Sequence, residues 1–202
     1  MRSRAAAAAL LTAGFKEVHS IEGGIHAWKG LVAEGLPEAG IAYFSPATRP
    51  EELMALAWYL ENGSQKFYFA MAQALVEKEA KDLFKELVTE EERHQASLSK
   101  LYTETSNATS DSGFPKSVMA PDSAGDVMEG GIRVSEALQW TKGKGVQEIL
   151  ELSMSLESNS YDLYLLMAGR VEDPRTKQTF HLLASEEKRH LDRLGVLIDK
   201  RT

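Results

Sequence analysis

The chain has 202 residues, of which 43% are hydrophobic and 26% are charged, a composition typical of folded globular proteins. Its 30 acidic and 23 basic residues give a formal net charge of −7, which disfavours binding to nucleic acid or to acidic membranes. The chain contains no cysteine. Disulfides, cysteine-ligated metal centres and thiol nucleophiles are therefore excluded within this chain, and any metal must be bound by Asp, Glu and His.

The N-terminal part of the chain differs in texture from the rest. It alternates helical stretches with a short predicted strand from Glu17 to Ile21, and Pro37 and Pro46 bracket a predicted linker. We therefore expect two units, residues 1–45 and residues 46–202. No apolar run approaches the length of about 18 residues that spans a bilayer, so we expect a cytoplasmic protein without a membrane partner.

The remainder of the chain is predicted to be helical, with four interruptions. Residues 50–104 form a strong helical pattern with one break near Val76 to Asp82. A segment rich in Ser, Thr, Asn, Gly and Pro, residues 105–131, indicates a long loop. Helical patterns return from Ser135 to Trp140 and again from Val146, with a last turn between Gly169 and Pro174.

The second half repeats the first at a constant offset of 96 residues. Eight of 22 positions are identical between residues 51–72 and 147–168, and eight of 19 between residues 83–101 and 179–197. The offset never slips, so the chain contains two copies of a helix pair joined by a long connection. This pattern predicts an antiparallel four-helix bundle with one long crossover.

Each predicted helix has an apolar face that is interrupted near its middle by acidic side chains. In the second helix of each pair the interruption is a Glu followed three residues later by a His, which lie on one side of a helix. In the first helix of each pair it is a single Glu. The six residues are Glu61, Glu91, His94, Glu157, Glu187 and His190.

The four Glu are predicted to lie at the same depth of the bundle. Glu61 and Glu91 are equidistant from residue 76, at the first turn, and Glu157 and Glu187 are equidistant from residue 172, in the last turn. Four buried carboxylates need protons or cations to neutralise them, and two divalent metals supply four positive charges. Carboxylate and imidazole ligands without sulfur suit iron or manganese, and also zinc.

This arrangement resembles the di-iron carboxylate site of the ferritin-like superfamily. The segments from Leu60 to Tyr68 and from Ser185 to His190 resemble the rubrerythrin family most closely, and the resemblance covers residues from about 50 to 200. It implies a mainly all-α, ferritin-like bundle in which these six residues bind two metal ions. Glu91 and Glu187 would bridge the metals, and Tyr68 and Tyr164 would lie just outside the ligand set.

Two departures from the rubrerythrin pattern limit what the resemblance implies. Rubrerythrins carry an additional Glu three residues after the single Glu of the third bundle helix, and here that position is Ser160. The cysteine-rich rubredoxin-like module is also absent. We expect an oxidoreductase that reacts with hydrogen peroxide or oxygen and takes electrons from an external donor such as a rubredoxin-like protein. The alternatives are an iron-handling or ferroxidase-type bundle, a zinc-occupied bundle, or a metal-stabilised interaction domain. Related bundles commonly pair, so we expect a homodimer.

Residues 1–40 resemble a different family. The segments Arg2 to Ala6, Gly14 to Val18 and Glu22 to Trp28 resemble the last third of a rhodanese domain. In that family the Arg-Ser pair follows the catalytic Cys, which this sequence lacks. We therefore interpret residues 1–45 as a truncated α/β remnant, or as the end of a longer domain, and expect no sulfur transfer by this chain.

Overall fold

The computed structural model describes residues 49–106, 113–120 and 126–201. Within these residues the secondary structure is helical, with one 3-10 turn at Glu129–Gly131. None of the helices in this part of the chain is both long and apolar enough to cross a membrane. The helices are α1 (Pro50–Ala74), α2 (Lys78–Ser106), α3 (Val134–Trp140), α4 (Val146–Arg170) and α5 (Pro174–Asp199).

The long helices begin where the sequence provides caps for their first amide groups. Glu52 accepts a hydrogen bond from the Arg49 backbone N–H at 3.1 Å, and Glu148 does the same for Gly145 at 3.0 Å. Asp173 caps α5 by accepting from the Thr176 backbone N–H at 2.7 Å, and Pro174 occupies the first helical position. The capping interactions of α1 and α4 thus repeat at the same offset as the sequence.

The long helices form two hairpins that pack into an antiparallel bundle. Helix α1 packs against α2, α4 packs against α5, and α2 contacts α5 across the bundle. Contacts from Tyr68 to Glu157 and from Tyr164 to Glu61 show that α1 and α4 run in opposite directions. Since α2 and α4 therefore run in the same direction, their connection must return along the length of the bundle. The predicted mainly α-helical bundle is confirmed for the described residues.

The first turn is shorter than the sequence pattern predicted. We expected a break near Val76 to Asp82, whereas the helices are interrupted only between α1 and Lys78. Lys78 Nζ lies 2.5 Å from Asp82 Oδ2, one helical turn later, and such pairs support a helix locally. The predicted α/β remnant at residues 1–45 lies outside the described residues, and so does the proposed domain boundary.

The bundle core consists of two apolar clusters with a polar layer between them. One cluster contains Leu60, Leu98 and Phe180, and the other contains Phe67, Phe84 and Leu150. Each of the four long helices contributes residues to both clusters, and its Glu or His residues of the predicted site lie between these two apolar stretches of its sequence. The site is therefore enclosed by hydrocarbon above and below.

Candidate metal centre

The structure brings all six predicted site residues together. Their ligand atoms form two groups, each with four atoms that lie within 4.8 Å of one another. Glu91 and Glu187 belong to both groups. All six side chains are at most 1% exposed. The first group is Glu61, Glu91, His94 and Glu187, and the second is Glu91, Glu157, Glu187 and His190.

The nitrogen that faces the carboxylates is Nδ1 in both histidines. His94 Nδ1 lies 3.0 Å from Glu61 Oε2 and 3.2 Å from Glu187 Oε1. His190 Nδ1 lies 3.0 Å from Glu157 Oε2 and 3.2 Å from Glu187 Oε2. Ligands placed about 2.1 Å from a metal in an octahedral shell are about 3.0 Å from their neighbours, so these spacings suit a common metal.

The side-chain oxygens of the two shared carboxylates, Glu91 and Glu187, form no hydrogen bond of regular geometry among the described residues. The Nδ1 atoms of both histidines lie 3.2 Å from Glu187, and that of His94 lies 3.3 Å from Glu91. Their regular hydrogen bonds are with Glu61 and Glu157. Buried polar atoms are almost always hydrogen-bonded, and four oxygens without such bonds at one place are suited to bind cations. The donor set of oxygen and imidazole nitrogen fits iron or manganese, and also zinc. The residues present therefore fit a pair of metal ions.

The carboxylates divide into a low-pKa pair and a high-pKa pair. Burial opposes ionisation of Glu157, but the charge of His190 together with hydrogen bonds from Glu187, His190 and Tyr68 outweighs it and lowers the pKa of Glu157 to about 2. The pKa of Glu61 is lowered against its burial by His94. Burial and the charge of Glu157 raise the pKa of Glu187 to about 7. Burial and the charge of Glu61 likewise raise the pKa of Glu91 well above its usual value.

Two carboxylates that were not predicted as site residues contact the second ring nitrogen, Nε2, of the histidines. His190 Nε2 lies 2.6 Å from Glu90 Oε2, and His94 Nε2 lies 2.9 Å from Glu186 Oε2. A carboxylate on the second ring nitrogen orients a metal-binding imidazole and fixes its tautomer. The repeated Glu-Glu pair ahead of each His, Glu90-Glu91 and Glu186-Glu187, was the signal in the sequence.

Each of the two predicted tyrosines contacts a Glu of the opposite hairpin that belongs to only one of the two groups. The Tyr68 hydroxyl donates to Glu157 Oε1 at 2.5 Å, and the Tyr164 hydroxyl forms a very short hydrogen bond with Glu61 Oε1. Both tyrosines are fully buried. Burial, followed by the charge of Glu157, raises the pKa of Tyr68, and burial followed by Glu129 raises that of Tyr164. Both phenols therefore stay protonated and can donate.

A fifth buried carboxylate, Glu129, comes from the crossover and was not predicted. It is 0% exposed and accepts a hydrogen bond from Ser64 Oγ at 2.9 Å. Its other oxygen lies 2.9 Å from the Tyr164 hydroxyl. Burial and the charge of Glu61 raise the pKa of Glu129 well above its usual value. The available signal was a single acid in the otherwise apolar and Gly-rich segment from Val127 to Ile132.

Close packing of the crossover on α1 brings Glu129 into the bundle. A Cβ atom on Gly63 would lie 2.4 Å from the Val127 carbonyl oxygen and 2.7 Å from Met128 Cα. Only glycine permits this approach. The chain then turns at Gly130, whose φ of 79° favours glycine.

Ser160, where the rubrerythrin pattern has an additional Glu, instead donates to the Leu156 carbonyl oxygen at 3.2 Å.

The comparisons with known proteins agree with the fold. The family model described as Rubrerythrin matches residues 148–202, which include α5 and the ligand candidates Glu157, Glu187 and His190. The structure of a hypothetical protein from Pyrococcus furiosus is similar at 23% sequence identity with a TM-score of 0.60. That match covers 82% of this chain and 95% of the other. No curated protein matches this chain. Together, the family match and the bundle support a ferritin-like, rubrerythrin-type domain whose buried Glu and His cluster is suited to metal ions.

Proposed function

We propose that this protein binds two metal ions in the buried cluster and acts as a non-haem oxidoreductase on hydrogen peroxide or oxygen. Iron is the proposed metal, with manganese or zinc as alternatives. The observation that carries the proposal is the sharing of Glu91 and Glu187, with four unsatisfied oxygens, between two four-residue groups. The resemblance to rubrerythrins adds the expected oxidants.

The six side chains would bind the two metal ions in different ways. Glu61 with His94 and Glu157 with His190 would bind one metal each, and Glu91 and Glu187 would bridge them. A pair of ferrous ions held by these residues would supply the two electrons that cleavage of a peroxide O–O bond requires. Tyr68 donates a hydrogen bond that keeps Glu157 oriented. Because the whole cluster is buried, only small molecules are expected to reach it.

Electrons must come from outside this chain in the proposed reaction. The sequence has no cysteine for an iron–sulfur or rubredoxin-type centre. We therefore propose an external donor, such as a rubredoxin-like protein, as the partner.

The first test is the metal content of protein purified from iron-replete cells. We expect about two irons per chain, as in di-iron carboxylate bundles, and their loss in the double variant Glu91→Gln, Glu187→Gln. Glu92→Gln is a matched control, because Glu92 is adjacent in the chain but exposed. Wild-type protein without bound metal, or a double variant that still binds two irons, would refute the proposal.

A second candidate function is a metal-handling bundle or one occupied by zinc. Each group offers four ligand atoms, which completes the tetrahedral shell of a structural zinc site. Anaerobic ferrous protein mixed with hydrogen peroxide distinguishes the candidates. Repeated cycles of oxidation and reduction with iron retained support the oxidoreductase. Release of iron after each oxidation supports metal handling, and preferential zinc uptake without reaction supports the zinc-occupied bundle.

A further inference from the structure

The two halves of the site differ in one respect that the sequence repeat does not contain. In one half, the Tyr68 hydroxyl contacts Glu157. In the other half, the equivalent Tyr164 hydroxyl contacts both Glu61 and Glu129. The Glu61 side therefore has an additional carboxylate one hydroxyl group away, and the Glu157 side has no counterpart among the described residues.

The serines at equivalent positions of the repeat show the same difference. Ser64 Oγ donates to Glu129 Oε2 at 2.9 Å, whereas Ser160 Oγ donates to the Leu156 backbone carbonyl of its own helix at 3.2 Å. Glu129 is thus held from two sides by hydroxyl groups of α1 and α4. It is fully buried, and the tight contact of the crossover with Gly63 fixes its backbone.

Building on the proposed function, we propose that Glu129 is a positioning residue that makes the two metal positions unequal by strengthening metal binding at the Glu61–His94 position. A tyrosine hydroxyl has one proton, so Tyr164 can donate to Glu61 or to Glu129 but not fully to both. Competition from Glu129 leaves Glu61 with more electron density for a metal. Tyr68 has no such competitor for its donation to Glu157.

The hydroxyl groups confine this effect to one metal position. Among the described residues, the Tyr164 hydroxyl contacts both Glu129 and Glu61, whereas the Tyr68 hydroxyl contacts Glu157 and not Glu129. Partners just outside the ligands commonly change metal affinity by about 10–100-fold.

The test is a Co²⁺ titration of the metal-free protein, followed by proton NMR. Each metal position contains one histidine, so the paramagnetically shifted ring N–H signals of His94 and His190 report the two positions separately. Glu186→Gln and Glu90→Gln assign the signals, because each variant changes the partner of one ring. In the wild type we expect the His94 signal to appear at the lower Co²⁺ concentration.

The key variant is Glu129→Gln, which is isosteric and keeps a hydrogen-bonding group at the same place. We expect it to weaken Co²⁺ binding at the His94 position by about tenfold and to change the His190 position by less than about twofold. The effect should disappear in a Tyr164→Phe background and persist in a Tyr68→Phe background, since Tyr164, and not Tyr68, forms a hydrogen bond with Glu129. If Glu129→Gln does not fold, Ser64→Ala with Ser160→Ala as its control replaces it, and only the former should alter the His94 signal.

Three results would overturn the inference. They are unchanged affinities in the variant, equal weakening of both positions, and equal effects in the two tyrosine backgrounds. A wild-type protein that binds no Co²⁺ at either histidine would instead refute the proposed metal function itself. The two failures are therefore distinguishable in the same titration.

Discussion

At the scale of single residues, the site is built from carboxylates in sharply different states. Glu157 has a pKa lowered to about 2 beside His190, whereas Glu187 has a pKa raised to about 7 by burial and by Glu157. The low-pKa pair contacts the histidines and tyrosines, and the high-pKa pair consists of the two shared, unsatisfied residues. Protons on the shared pair relieve the repulsion that metal ions would relieve in the loaded protein.

These shifts predict the pH dependence of stability of the metal-free protein. Glu187 and Glu91 have raised folded-state pKa values, so above pH 5 the folded state retains protons that the unfolded state has released. The histidines, with pKa values raised chiefly by Glu61 and Glu157 against the effect of burial, act in the same direction. We expect stability to fall between pH 5 and pH 8, by up to about 1.4 kcal/mol per pH unit for each retained proton.

Thermal unfolding in the presence of a chelator measures this dependence. The carboxylates with lowered pKa values act only below about pH 4.5, so they do not mask it. Glu187→Gln should flatten the curve because glutamine does not titrate. A melting temperature that rises between pH 5 and pH 8 in the metal-free protein would contradict the assignment of protons to the shared pair.

At the scale of elements, the two hairpins follow the repeat and the crossover breaks it. Each hairpin supplies one Glu that belongs to a single group of ligand atoms, one Glu that belongs to both groups, and one His, in equivalent places. The crossover adds Glu129, and it does so through the contact between Gly63 and the backbone of Val127 and Met128. One glycine in α1 therefore controls where the crossover lies on the bundle.

We expect Gly63→Ala to destabilise the protein. Alanine in a helix is normally favoured over glycine by about 1 kcal/mol, but this Cβ would meet backbone atoms that are unable to move aside cheaply. Overpacking of this kind costs about 1–3 kcal/mol, so a net loss is expected in urea unfolding of the metal-free protein.

Gly169 in α4 provides the matched control. A Cβ atom there meets nothing within 4 Å, so Gly169→Ala should be neutral or stabilising by up to about 1 kcal/mol. If both variants were stabilised equally, the crossover would not be held at Gly63, and the position of Glu129 would need another explanation.

At the scale of the whole molecule, a charged layer separates two apolar clusters that would otherwise form one continuous core. Burying five carboxylates in this layer destabilises the metal-free fold, and bound cations would remove that cost. We therefore expect metal binding to be coupled to folding.

We expect Fe²⁺ or Mn²⁺ to raise the melting temperature under anaerobic conditions. At a free metal concentration of about 100 times Kd, one site adds about 2.7 kcal/mol, which corresponds to about 5–10 °C for a chain of this size. Scanning calorimetry with and without metal measures the shift. The Glu91→Gln, Glu187→Gln variant should show no shift, and an equal rise in this variant would place the bound metal elsewhere.

The homodimer expected from the resemblance stays a prediction. Sedimentation equilibrium of the full chain should give about twice the monomer mass of 22.3 kDa. A monomer at micromolar concentration would refute it without affecting the metal site, because each of the two four-residue groups consists of residues of one chain.

Spacing along the chain was enough to predict the helical hairpins and the convergence of the six site residues. Residues three apart on a helix share a face, and residues equidistant from a turn share a depth, so Glu61, Glu91 and His94 could be placed from spacing alone. The same argument on the second copy placed Glu157, Glu187 and His190. The helical period and the repeat can both be found in the sequence, and the folded bundle retains both.

The further groups around that cluster depend on how separate elements pack against one another. Glu90 meets His190 across 100 residues of sequence, and Glu129 meets Ser64 across 65. Neither separation follows from a helical period or a turn, because each depends on how two separate elements pack. The crossover has no counterpart in the repeat. The contact of Glu129 with one half of the site therefore depends on the packing of the crossover backbone against Gly63, which no repeat or period predicts.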